Sequence, residues 1–295
     1  MVTVGSILSG TFRFIGNNVR AILVWSAILF LLTLVMMAMM RPIYEAQIAT
    51  LQQAGTTPVP PPIGPFLLFV PVGLVAFVML AAAAFRAVLF PEQSRFAYLR
   101  LGMDELRLLG TALVLIIGFY IAMIVTGIAA GLVVAVVAAA LGGSAVTGAL
   151  LVGLPMIAFS TWLMVRFALA APLTILQRKV VIGPAWRLSR GHFWSLLGAY
   201  IVVLLLVFVI YAVVLMIRMG PVMTDLLHPT DQAAALRVAS AQIEGFTLSL
   251  KNIVITAISS VVFGFAHALY AGGIAVAAAQ LSGGGGERRL NEVFE

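Results

Sequence analysis

The chain has 295 residues, of which 63% are hydrophobic and only 9% are charged, against about 25% charged residues in an ordinary soluble domain. A soluble fold of this length does not offer enough buried positions for so many apolar side chains. The composition therefore excludes a soluble globular protein and indicates a chain that is solvated by lipid. There are no cysteines, which excludes disulfides and thiolate metal sites.

Six apolar stretches are long enough to cross the roughly 30 Å hydrocarbon core of a bilayer, which takes about 20 helical residues. They are residues 21–40, 65–90, 110–141, 145–176, 196–216 and 252–281. The longest of them exceed the bilayer, so we expect them to tilt, kink or emerge from it. A proline-rich segment, residues 56–65, separates the first two spans and is expected to be extended. The sequence therefore predicts an all-α membrane protein with six transmembrane helices.

The arginines and lysines indicate the direction of the spans, because cytoplasmic loops carry an excess of both. With the N-terminus inside, thirteen of the 17 basic residues fall in cytoplasmic segments, and the net charge of +7 lies entirely inside. The four basic residues left outside are Arg41, Arg218, Arg237 and Lys251. This asymmetry predicts cytoplasmic termini and a basic surface that faces the anionic phospholipids of the inner leaflet. Nucleic-acid binding is the alternative explanation of the charge, and the placement of the arginines disfavours it.

A short amphipathic stretch precedes each odd-numbered span, and such stretches are typical of helices that lie in the membrane interface. The first places five apolar residues on one helical face: Val4, Leu8, Phe12, Ile15 and Val19. The second does the same with Phe96, Leu99, Met103 and Leu106. The third begins at Gly183-Pro184 and combines Trp186, Phe193 and Trp194 with Arg187 and Arg190. We therefore expect three interfacial amphipathic helices on the cytoplasmic side.

The order of interfacial helix, span, outer turn and span recurs three times along the chain. The junctions that lead into the odd-numbered spans are similar, for example Arg107-Leu108-Leu109-Gly110 and Ser195-Leu196-Leu197-Gly198. We predict one transmembrane domain, residues 1–282, made of three helical-hairpin repeats at about residues 1–91, 92–180 and 181–282. The glycine run that follows predicts a flexible cytoplasmic tail, residues 283–295.

Two sequence stretches carry a family resemblance. The stretch GPAWRLSRGHFW, residues 183–194, resembles a motif of a broad bacterial family, and FAYLRLGMDELR, residues 96–107, is similar to its counterpart in the second repeat. That family includes the membrane domain attached to some glycerophosphoryl diester phosphodiesterases and the YciC-like inner-membrane proteins. The resemblance implies a six-helix bundle in the bacterial inner (plasma) membrane. It implies no phosphodiesterase activity, because catalysis in the fused proteins belongs to a separate soluble barrel.

The sequence offers little for catalysis, which needs a nucleophile with a base, paired carboxylates or a metal. The three histidines, His192, His228 and His267, are predicted inside, outside and within a span, so no two can meet. Asp104 and Glu105 diverge by about 100° on a helix, so we expect them to offset nearby arginines rather than form a catalytic pair. We therefore expect no enzyme activity, no cofactor and no metal site.

One histidine lies at membrane depth, where ionisable groups are costly and mark candidate functional sites. His267 falls near the middle of the sixth span and shares a helical face with Ser260, Gly264 and Ala271, which predicts that it points into the bundle. Two interpretations follow. It is either a neutral histidine hydrogen-bonded to a neighbouring helix or a group that senses protons or contacts a substrate.

Arg86 and Arg166 occupy equivalent positions at the predicted cytoplasmic ends of the second and fourth spans. They either snorkel to nearby headgroups or form a basic pocket for an anionic lipid headgroup. The full set of residues predicted to contact a headgroup or a protein partner is Arg86, Arg166, Trp186, Arg187, Arg190 and Trp194.

Two ladders of small residues permit close approach of helices. They are Gly127-x-x-x-Gly131 and Gly264-x-x-x-Ala268-x-x-x-Gly272. We expect packing within the chain, and contacts in a homo-oligomer are the alternative.

The leading functional hypothesis is a non-catalytic integral inner-membrane protein that contacts or organises anionic lipids or a membrane partner protein. The basic and aromatic interfacial segments favour it. The first alternative is a small transporter or lipid-translocating protein, which would need a polar path through spans that are poor in polar residues. The second alternative is a membrane-embedded enzyme.

Overall fold

A computed structural model of the chain describes residues 2–52, 64–141, 145–227 and 232–282. These ranges are about 90% helical and contain no β-strand. The α-helices are α1 (Val4–Asn17), α2 (Val19–Gln52), α3 (Gly64–Leu89), α4 (Met103–Leu141), α5 (Ala145–Phe167), α6 (Ala170–Gln177), α7 (Gly183–Ser189), α8 (Phe193–Met219), α9 (Met223–Leu227), α10 (Gln232–Gly245) and α11 (Leu250–Leu281). The tail predicted at residues 283–295 and nearly all of the proline-rich segment lie outside the described residues.

Six spans are long and apolar enough to cross a membrane, as predicted, and they lie in α2, α3, α4, α5 with α6, α8 and α11. The fourth is interrupted between Phe167 and Ala170. Pro172 explains the break, because its ring would clash with the carbonyl of Ala168 in a continuous helix. Helix α2 has 34 residues, which is about 51 Å at a rise of 1.5 Å per residue. It therefore extends well beyond the bilayer thickness.

Helix α11 is the centre of the bundle and packs against α1, α2, α3 and α8. Its small residues permit this close packing: a Cβ added at Gly264 would lie 2.0 Å from Ser26 Oγ, and one at Gly272 would lie 2.5 Å from the Phe14 ring. Ala268, between the two glycines, is fully buried. The prediction that this ladder packs within the chain is confirmed.

The hairpin of α4 and α5 lies at the periphery. In the most apolar part of each span, 61% of the residues are buried for α3, but only 11% for the span with α4 and 6% for that of α5 and α6. Gly127 faces Met156 of α5, whereas nothing lies within 4 Å of a Cβ added at Gly131. The first ladder therefore contributes only one of its two glycines to packing within the chain.

The two ends of the bundle differ in the residues that they carry. At one end α1 is fixed to the end of α11, where Gln280 Nε2 donates to Ser6 O at 3.0 Å. We call this the basic end, since it carries Arg86, Arg166 and α7. At the opposite end the last turn of α8 meets the start of α11, where Arg218 donates to Thr256 Oγ1 at 2.9 Å.

The face of α1 that packs in the bundle is not the apolar stripe, which was predicted only to lie in the membrane interface. Its buried residues are Ile7, Thr11 and Phe14, whereas Phe12 of the predicted apolar stripe is 51% exposed. Apolar character cannot distinguish a lipid-facing from a protein-facing surface in a membrane, and close approach to small residues decides the packing. Here the small residues are those of α11.

The second amphipathic stretch is not one helix, and that prediction is wrong. Phe96, Ala97 and Tyr98 have φ values of 51°, 54° and 62°, and α4 begins only at Met103. The turn is held by Trp25, whose Nε1 donates to Ala97 O at 2.9 Å. The third stretch forms α7, which ends at Ser189, so Phe193 and Trp194 belong to α8.

Candidate functional site at the basic end

Arg86 lies in the last turn of α3 and is buried, with only 3% of its surface exposed. Its guanidinium forms a close ion pair with Glu105 and lies 3.7 Å from Asp104. It also donates to Tyr98 O at 3.2 Å. The prediction of a headgroup contact is therefore corrected for Arg86, because its donors are turned inward and occupied by protein acceptors.

Asp104 and Glu105 explain this burial. Glu105 Oε2 also accepts from Gly102 N–H at 2.9 Å, which caps the start of α4. Asp104 accepts from Arg107 at 3.0 Å. The two acidic residues therefore offset the local arginines, as predicted, and Glu105 couples the end of α3 to the start of α4.

Arg166 lies in the last turn of α5, and its surroundings are aromatic. Its guanidinium carbon is 5.4 Å from the ring centre of Trp186, 5.7 Å from that of Trp162 and 5.9 Å from that of Phe193. All three distances are within the roughly 6 Å range of a cation–π interaction. The rings come from α5, α7 and α8, so three helices converge on one cation. We call this group the aromatic cage.

The hydrogen-bonding capacity of Arg166 is unused within the described part of the chain. Its Nε and Nη1 atoms are buried and have no hydrogen-bond partner. Buried N–H groups of a charged side chain are costly when they are unpaired. The aromatic rings stabilise the positive charge but accept no strong hydrogen bond. The arrangement therefore suits an anion whose oxygens accept the charge-assisted hydrogen bonds that these N–H groups lack.

The other residues predicted for this site lie around the cage. Trp186 belongs to the cage itself, and Arg187 and Arg190 are exposed next to it on and after α7. Trp194 is 79% exposed at the start of α8. Arg187 and Arg190 form no ion pair with any described carboxylate. They can therefore add positive charge at the mouth of the cage.

Trp162 and Phe193 are not among the predicted site residues. A signal for Trp162 is present, because it precedes Arg166 by four residues and so lies on the same face of α5. A second signal is the distribution of acids, since the sequence has no Asp or Glu between Glu105 and Asp225. The arginines and lysine of α5 to α8 therefore have no acidic residue within this part of the sequence.

His267 lies inside the bundle, as predicted. Its ring contacts Trp25 and Phe77 edge-on, with centroid distances of 6.4 and 6.3 Å. Its Nε2 is buried without a partner among the described residues. Both interpretations of His267 therefore stay predictions.

The described residues contain no group of three or more His, Cys, Asp or Glu side chains that could hold a metal ion. Comparison of the chain with family models, with curated proteins and with solved structures gives no match. The site is therefore interpreted from its own geometry.

Proposed function

We propose that the protein is a non-catalytic integral membrane protein that binds the headgroup of an anionic phospholipid at Arg166. The observation that carries the proposal is the pair of buried N–H groups, Nε and Nη1, which have no acceptor among the described residues. A lipid phosphate supplies anionic oxygens that accept charge-assisted hydrogen bonds from a guanidinium. Arg187 and Arg190 add attraction for anionic lipid at the surface.

The orientation and location of the protein belong to the same proposal. Arginine-rich loops face the cytoplasm, so the basic end is cytoplasmic and the lipid comes from the inner leaflet of the bacterial plasma membrane. Membership in the family that contains the membrane domain of glycerophosphoryl diester phosphodiesterases is also proposed. The segment that carries this resemblance, residues 183–194, supplies Trp186 and Phe193 to the cage.

The proposed repeats give the site a structural counterpart. When Arg107-Leu108-Leu109-Gly110 is aligned with Ser195-Leu196-Leu197-Gly198, Phe193 occupies the position of Glu105. Where the first repeat meets the second, Arg86 contacts the carboxylate of Glu105, and where the second meets the third, Arg166 contacts the ring of Phe193. Because Phe193 stands where the other repeat has the carboxylate of Glu105, the counter-charge of Arg166 would come from outside the chain, which supports the proposed lipid site.

The test is lipid binding to the purified protein, measured by native mass spectrometry with phosphatidylglycerol and phosphatidylcholine as probes. We expect phosphatidylglycerol to bind more tightly. Arg166→Gln should weaken its binding about 10- to 100-fold, because hydrogen bonds to a charged group contribute about 1.5–3 kcal/mol. Arg166→Lys should restore only part of the affinity, since a compact ammonium group does not reproduce the planar set of donors of a guanidinium.

Two further variants separate a specific site from general attraction. Arg95→Gln removes one exposed positive charge from the same end of the bundle and should change the affinity less than threefold. Phe193→Glu should abolish phosphatidylglycerol binding, because it supplies Arg166 with the carboxylate that Arg86 already has. Equal losses in Arg166→Gln and Arg95→Gln would contradict the proposal, as would full binding by Phe193→Glu.

A further inference from the structure

A second candidate lipid site lies at the opposite end of the bundle, between α8 and α11. A groove of about 290 Å³ is open on one side and lined by aliphatic residues of both helices. Its α8 wall runs from Val209 to Ile217, which is about 12 Å at a rise of 1.5 Å per residue. The one polar lining residue is Ser259, and its hydroxyl already donates to Ile255 O at 2.7 Å. The groove is therefore long, narrow and apolar.

Arg218 lies at the outer end of this groove. It follows the lining residue Ile217 and stands one turn beyond Val214 on the same face of α8. Its Nη2 donates to the Oγ1 of Thr256 on α11, so the side chain crosses the seam between the two helices. A single hydroxyl satisfies only one of the five N–H donors of an arginine. Arg218 is exposed, so its other donors are accessible to a ligand.

The charge pairing at this end distinguishes Arg218 from its neighbours. Arg41 pairs with Glu45, Arg237 with Asp225, and Lys251 lies 3.6 Å from Glu244. Among the described residues no carboxylate lies within 4 Å of the Arg218 guanidinium, and its Nη2 donates to the Thr256 hydroxyl. Within the described ranges Arg218 is therefore a cation without a carboxylate partner at the end of an apolar groove.

We propose that this groove binds one acyl chain of a phospholipid whose phosphate contacts Arg218. A single chain fits a passage that two helices line with aliphatic side chains, and the phosphate supplies the anion that Arg218 lacks. The lipid comes from the leaflet at the opposite end of the bundle and is distinct from the lipid of the aromatic cage. The two sites share no residue, so either can exist without the other.

The experiment reconstitutes the full-length protein in nanodiscs with phosphatidylglycerol that carries a photoreactive diazirine on its acyl chain. After illumination, peptide mapping measures the labelling of α8 and α11. We expect labelling of the groove residues to fall at least fivefold in Ile258→Trp, which fills the groove from its exposed side. Arg218→Gln should lower it at least threefold, and Val213→Trp should reproduce the effect of filling the groove if Ile258→Trp does not fold.

The matched control is Leu204→Trp, which adds the same ring to an exposed position on α8 outside the groove and should leave the labelling unchanged. Arg166→Gln should also leave it unchanged, which separates this proposal from that of the aromatic cage. The proposal is overturned if labelling persists in both groove-filling variants, or if it is no stronger in the groove than around Leu204. It is also overturned if Arg218→Gln has no effect.

Discussion

The buried ion pair of Arg86 and Glu105 leads to a quantitative prediction about stability. Both side chains are less than 10% exposed, so removal of one partner leaves an uncompensated buried charge, which costs about 3–5 kcal/mol. We therefore expect Glu105→Leu and Arg86→Met each to lower the free energy of unfolding by about that amount. The double variant removes both charges and loses mainly the hydrogen bonds to Tyr98 O and from Gly102 N. At about 1 kcal/mol each, its cost should be roughly 2 kcal/mol.

The measurement is chemical unfolding of the purified protein in detergent micelles, followed by circular dichroism, in a double-mutant cycle. Arg107→Gln serves as the control, because it breaks the half-exposed pair with Asp104 and should cost well under 1 kcal/mol. The reasoning is refuted if the double variant is as unstable as the sum of the single variants. It is also refuted if Glu105→Leu is no more costly than Arg107→Gln.

Two further predictions concern packing and pH. Gly264→Ala should destabilise the bundle by about 1–3 kcal/mol, since its Cβ would meet Ser26, whereas Gly131→Ala should be nearly neutral; thermal unfolding compares the two. Hydrogen bonds from Arg237 hold the pKa of Asp225 below its usual range. The stabilisation that the pairing of Asp225 with Arg237 gives to the folded state is therefore complete above the ordinary carboxyl pKa of about 3.9. It is lost as the pH falls through the lower pKa that Asp225 has in the folded state. Hydrogen exchange in α10 should rise there, and Asp225→Asn should remove that pH dependence.

The number of spans was predictable because a bilayer of fixed thickness imposes a minimum length on every apolar helix. The sequence predicted less well which face of each helix packs against other helices. The stripe with Phe12 is apolar as well, but the face with Phe14 is the one that closely approaches small residues of α11 such as Gly272. The hydrophobic pattern also could not predict the left-handed turn at Phe96, because contacts from residues distant in sequence, such as Trp25, hold it.

For the candidate site as well, the sequence indicated the residues but not their contacts. Arg86 and Arg166 look equivalent in sequence, and they lie in the last turns of α3 and α5. Their surroundings differ because one faces Glu105 and the other faces three aromatic rings. Arg86, which is paired with a carboxylate, stabilises the fold, whereas Arg166, which is surrounded by rings, keeps hydrogen-bond donors for a ligand. Sequence spacing alone did not separate these outcomes.

The two proposed lipid sites lie at opposite ends, which raises the question of passage between them. A translocation path needs polar groups that can exchange partners with a headgroup. Along α11 the hydroxyls of Ser259 and Ser260 donate to their own helix, and Ser26 does the same on α2. His267 contacts the rings of Trp25 and Phe77 edge-on. This use of the polar groups favours a protein that holds lipids in place over one that carries them across.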